Sequence, residues 1–212
     1  MPERPTRERI LDEAVDLFGF RGVEAVSLDE IARAVGVRKQ SVLYWFPSKE
    51  ALVAAVLDTV ADELIVVISA AIRASDDDPL VRIDAVIRAV FGPAVRRPAL
   101  LGLVRELGRL DPELVDRLRS RVQPLVEACV RYLEDEMGRG RLRRADPRLV
   151  AAHGGVGESA DPRLVAALAY ATVTGIATEP EALETVGWQR DLAGLRRLRD
   201  ELRSFIRAAL AP

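Results

Sequence analysis

Residues 27–46 read SLDEIARAVGVRKQSVLYWF. Ser27 to Glu30 spell a capping box, in which the serine hydroxyl accepts from the Glu30 amide and the glutamate reaches back. Beyond it, Ile31, Ala32, Val35, Gly36, Val37, Val42 and Trp45 fall where two helices pack across a tight turn. Ala32 is small where the second helix comes close. Gly36 stands where the turn needs a positive φ, which glycine adopts without strain. Two short helices, 27–35 and 38–46, are expected, and their pattern is a helix-turn-helix.

Removing the packing positions leaves Arg38, Lys39, Gln40, Ser41, Leu43 and Tyr44 pointing outward on the second of these helices. Arg38 and Lys39 are expected in its first turn, where the helix dipole disfavours cations. Lys49 repeats the anomaly in the next helix. These are the only two lysines among 31 basic residues. A polyanion is the expected compensation, because helix starts also present free amides to phosphate. Arg38, Lys39, Gln40 and Ser41 are candidates for base edges, since arginine or lysine suits guanine and glutamine suits adenine. Leu43 suits a thymine methyl. Tyr44 and Lys49 are candidates for phosphates, and Thr6 and Ser27 for backbone contacts from the first two helix starts. Residues 1–50 carry eight basic side chains against nine acidic ones. Nonspecific affinity should therefore be modest, and specificity rests on a few placed contacts.

Outside this stretch, apolar residues recur at helical spacing and nothing alternates as a strand. Ile10, Leu11, Ala14, Val15, Leu17 and Phe18 predict a first helix, capped by Thr6 and ended within residues 19–22. Ser48 is the expected cap of a long helix to about residue 75. Further helices are expected over 80–94, 98–110 and from Asp111-Pro112 to Met137, where residues 138–140 end it. A last helix over 188–210 carries Leu192, Leu195, Leu198, Leu202, Phe205 and Ile206 on one stripe. The fold class is all-α, about nine helices. An N-terminal three-helix helix-turn-helix domain (1–50) joins a larger helical regulatory and dimerisation domain (51–212). The octapeptide ADPRLVAA occurs at 145–152 and again at 160–167, a short tandem duplication around a glycine-rich loop containing His153. Two copies are too few for a solenoid.

Residues 10–52 resemble the DNA-binding domain of the TetR (tetracycline-repressor-like) family. Phe18, Gly22, Ile31, Ala32, Gly36, Val37, Phe46 and Lys49 carry the resemblance. One departure stands out: Leu43 occupies a place where the family usually has tyrosine, so Tyr44 is expected to take over its contact. The resemblance implies a homodimer on a double-stranded DNA operator and an effector pocket for a small apolar or amphipathic molecule. It also implies a dimer interface from the last two main helices, here 164–175 and 188–210; ordinary intramolecular core is the competing reading of that stripe. Pocket candidates are Arg105, Glu106, Tyr132 and Tyr170, with Thr172 and Thr174. Arg105 and Glu106 more often belong to a solvated face.

Composition narrows the classes further. One histidine, one cysteine and no glycine-rich phosphate loop leave no triad, metal cluster or nucleotide site, so no catalytic residue, metal or cofactor is expected. Cys129 alone allows no internal disulfide and fits a reducing, cytoplasmic setting, where it reads as packing. A polar start argues against a secretory leader, and no apolar run approaches the ~20 residues of a membrane span. A helical scaffold or small-molecule-binding protein without DNA binding is the alternative.

Overall fold

The computed structural model describes residues 5–142 and 192–211. These hold α1 (Thr6–Arg21), α2 (Leu28–Val35), α3 (Lys39–Trp45), α4 (Lys49–Ala74), α5 (Pro79–Arg96), α6 (Ala99–Glu106), α7 (Pro112–Gly138) and α8 (Leu192–Leu210). A 3-10 turn, Leu107–Arg109, follows α6. No strand occurs among the described residues, as the all-α reading requires. The repeated octapeptide, His153, Tyr170, Thr172 and Thr174, with the 164–175 half of the expected dimer interface, lie outside the described residues.

The chain divides into two compact units, one of residues 1–63 with 96–121 and one of 64–95 with 122–212. In the first, Ile10, Leu11, Ala14, Val15 and Phe18 are buried at helical spacing along α1. They share a core with Ile31, Val35, Val42, Phe46, Leu52, Val56 and Leu103. Arg9 donates to the Val35 carbonyl at 2.5 Å, so α1 closes the C-terminal end of α2. Arg97 forks onto α1 with Nε on Asp16 at 2.7 Å and Nη1 on Asp12 at 2.8 Å. Arg117 and Arg121 of α7 pair with Asp58 and Asp62 of α4 at 2.6 and 2.5 Å, each one helical turn after the other.

One expectation for α1 is corrected. Thr6 is its first helical residue rather than its cap; Pro5 holds the N-cap position and no side chain bonds there. The helix ends within the expected 19–22 stretch: it runs through Gly19 to Arg21 and stops at Gly22, whose φ of 84° ends it. Gly19 serves another purpose. A Cβ there would strike the Ala99 carbonyl, and one on Gly102 would strike the Gly19 carbonyl, so α1 and α6 cross backbone to backbone.

Sequence-read caps hold elsewhere. Ser48 Oγ accepts from Ala51 at 3.1 Å, and Asp111 Oδ1 accepts from Glu113 at 2.8 Å at the start of α7. Within the second unit, Glu136 of α7 is 1% exposed and meets Arg139 at 2.8 Å and Arg141 Nε at 2.5 Å. Arg203 of α8 pairs with Asp84 of α5. Along α8, Leu195, Ile206 and Leu210 are buried while Leu192 and Phe205 are exposed, so the expected stripe is split. Cys129 is half-buried and burial pushes its thiol pKa up, which keeps it protonated and unreactive.

Candidate nucleic-acid interface

The surface is built from α2 upward. Ser27 Oγ accepts from the Glu30 amide at 3.3 Å, and Glu30 Oε2 accepts from the Ser27 amide at 2.8 Å. Both halves of the capping box are present. Gly36 closes α2 in the left-handed region with φ 77°, and the Val37 amide reaches back to Ala32 at 2.9 Å. The turn delivers α3 with Val42 fully buried. At 100° per residue, positions two before and two after Val42 point away from the core. Those positions are Gln40 and Tyr44; Tyr44 is 79% exposed and Gln40 is also exposed. Ser41 and Leu43 flank them and are half-buried.

Glu30 carries an electrostatic consequence. The Ser27 backbone amide, then the Ser27 hydroxyl and Arg21, hold its carboxyl at about 2, below the ordinary 4.5. A depressed carboxylate adds stability above pH 4.5 and loses it as pH falls toward 2. Ser27→Ala is expected to cost about 1 kcal/mol at pH 7. That deficit against wild type should shrink in acid; urea titrations at neutral pH and below pH 4.5 check both parts.

Arg38, Lys39 and Gln40 are exposed. Arg38 is the N-cap of α3, in extended backbone and without a side-chain cap bond, so it stands just before the first turn rather than in it. Lys39 Nζ lies 2.6 Å from Asp29 Oδ2, and Lys49 Nζ donates to the Glu24 carbonyl at 3.3 Å. The compensation expected from a polyanion is thus already met inside the chain for both lysines. Even so, the lysines converge: Lys39, Lys49 and Ser27 line one shallow groove at the start of α2. An exposed pair such as Lys39–Asp29 is worth at most about 1 kcal/mol, weak enough to exchange for a phosphate.

Trp45 departs from its expected packing role. It is 44% exposed, its ring set edge-on against Tyr44 with centroids 5.1 Å apart, while Phe46 fills the core. Three residues past Val42, the position is only 60° off the buried direction, which is why spacing alone assigns it inward. The helix ends there, so the next residue takes the slot. Asp29 is the other participant that sequence reasoning missed; its ten-residue separation from Lys39 carries no periodic signal.

Of the pocket candidates, Glu106 is buried. It is 6% exposed, and its Oε2 accepts the Val23 amide at 2.8 Å. It is a structural acceptor inside the first unit rather than part of a solvated face. Arg105 is exposed. Tyr132 packs its ring under the Arg82 guanidinium, 5.2 Å from the centroid, with its hydroxyl buried and pushed up by that burial. Among the described residues no cluster of His, Cys, Asp or Glu has metal-holding geometry, and no helix is long and apolar enough to cross a membrane.

Comparison with known proteins follows the same residues. Residues 10–56 match the family model described as bacterial regulatory proteins, tetR family. The transcriptional regulator RutR of Escherichia coli K12 is 31% identical over 145 residues, which span 67% of this chain and 66% of RutR. TcmR, a transcriptional regulator of Streptomyces glaucescens, is 30% identical over 167 residues, 78% of this chain and 68% of TcmR. The structure of AibR with isovaleryl coenzyme A and operator DNA superposes with a TM-score of 0.70 at 19% identity, covering 95% of this chain and 97% of AibR.

Proposed function

This chain belongs to the TetR family of bacterial regulatory proteins, and from that membership we propose that it is a cytoplasmic transcriptional repressor, binding a palindromic operator as a dimer and released by a small effector. One observation carries the reading: Arg38, Lys39, Gln40 and Tyr44 form an exposed arc on a short helix whose buried side is locked by Val42 and the Gly36 turn. Lys49 and Ser27 flank that arc in a common groove. Arg38, Lys39, Gln40 and Ser41 read base edges, Leu43 meets a thymine methyl, and Tyr44, Lys49, Ser27 and Thr6 hold the backbone. Residues 1–50 do the reading, and 51–212 hold the effector and the partner subunit.

Two copies place their α3 helices in successive major grooves, about 34 Å apart. The effector is an apolar or amphipathic molecule, a class to which the isovaleryl coenzyme A bound by AibR belongs. It acts by shifting α4, which contributes residues to both units. The reading has no catalytic step, metal or cofactor, in keeping with relatives named as regulators.

A gel shift on the DNA flanking the protein's own gene tests it. Wild type is expected to shift the fragment, and joint Lys49→Ala and Tyr44→Ala substitution to weaken binding by about 30-fold or more. No shift on any genomic fragment at low salt would favour the scaffold reading. Turnover of a small molecule by the purified protein would favour an enzyme.

A further inference from the structure

We propose that Glu106 is a positioning residue for the reading helix: its buried carboxylate fixes the turn between α1 and α2, and so the angle at which α2 and α3 meet DNA. This rests on the DNA-binding reading above. Glu106 closes α6, yet its Oε2 takes the amide of Val23, a residue 83 positions earlier in the chain. Val23 is itself buried, so without Glu106 its amide would have neither water nor protein to bond. Gly22, at φ 84°, packs flat on the same carboxylate, with a virtual Cβ 3.2 Å from Oε2.

A division of labour between α6 and Arg97 just before it sharpens the assignment. The body of α1 is already tied by Arg97 to Asp12 and Asp16 and by the glycine crossing at Gly19 and Gly102. What those contacts leave undetermined is the turn beyond α1, and Glu106 alone reaches it from α6 among the described hydrogen bonds. Its second oxygen meets Arg109 Nη1 at 3.1 Å, but Arg109 is 73% exposed and its charge is screened. The acceptor, rather than the charge, is therefore the working feature. Base readout tolerates misplacement of only about 0.5 Å, so a loosened turn costs sequence-specific contacts before it costs nonspecific attraction to phosphates.

The experiment compares Glu106→Gln, Glu106→Ala and Glu106→Asp on two duplexes of equal length: one recovered by wild type from its own flanking DNA, one of scrambled sequence. Circular dichroism establishes the folded fraction, and hydrogen exchange reads the Val23 amide. Glutamine keeps a carbonyl acceptor and is expected to bind within about threefold of wild type, with Val23 protected. Alanine is expected to lose about tenfold or more on the recovered duplex and little on the scrambled one, with Val23 exchanging fast. Should alanine not fold, aspartate serves: it keeps the charge but is one methylene short, and is expected to show the same selective loss. Wild-type selectivity in a folded alanine or aspartate variant with an unprotected Val23 amide would overturn the proposal. So would a glutamine variant as impaired as alanine. A wild type that shifts no duplex would instead remove the DNA-binding reading on which the proposal stands.

Discussion

Gly102→Ala is expected to destabilise the protein by about 3 kcal/mol or more, near the upper end for overpacking substitutions. The added Cβ would enter the Gly19 carbonyl well inside the 3.0 Å that real Cβ atoms essentially never cross, and the obstacle is backbone, which no rotamer can move aside. Relief requires α1 and α6 to separate, and that separation pulls on the Arg97 fork and on the Glu106–Val23 bond together. Against a total stability of roughly 5–15 kcal/mol, the loss is a large fraction. Thermal unfolding should drop by about 6–12 °C for a chain of this size. Gly19→Ala meets the Ala99 carbonyl in the same crossing and should cost a similar amount. The double variant is expected to cost less than the sum, because one separation accommodates both methyl groups. Gly138→Ala, with nothing within 4 Å of its Cβ, should be neutral or slightly stabilising. A crossing that tolerated Gly102→Ala at wild-type stability would show that α6 does not bear on α1 as described.

That crossing also marks where sequence reasoning stops. The α2–α3 turn is legible because each of its determinants is local. A capping box spans four residues, and a left-handed glycine is announced by its place after a periodic run. The buried face of α1 follows from spacing alone. Gly19 reads as part of the terminating 19–22 stretch, because glycine near the end of a helical run usually ends it. Its actual reason lies in Ala99 and Gly102, some 80 residues away, and no local rule carries that information. Glu106 is the same case: on α6 it reads as one more charge beside Arg105, and only its long-range partner Val23 makes burial tolerable. Within the candidate site, the outward residues of α3 are legible to within one helical flank. The pairings of Lys39 with Asp29 and of Lys49 with the Glu24 carbonyl are not, because each depends on how separate segments cross.

Arg141→Ala is expected to cost more than Glu136→Leu, although both remove the same ion pair. Glu136 is 1% exposed, whereas Arg141 and Arg139 are 38% and 60% exposed. Deleting Arg141 leaves a carboxylate in the interior with Arg139 alone on Oε1, and stripping a partner from a buried charge costs about 3 kcal/mol. Arg141 also meets Asp77 at 3.1 Å; the same substitution removes that pair, but it is too exposed to matter much. Deleting Glu136 instead releases two arginines whose side chains are 60% and 38% exposed, so their heads can turn to water. Leucine then fills the vacated volume with apolar atoms, a replacement that is often neutral or stabilising. Paired urea titrations should therefore rank wild type and Glu136→Leu close together, with Arg141→Ala well below both. The reverse order would mean that the arginines, not the buried carboxylate, depend on the pairing for their place. In that case the end of α7 would be held by its surface charges rather than by what lies beneath them.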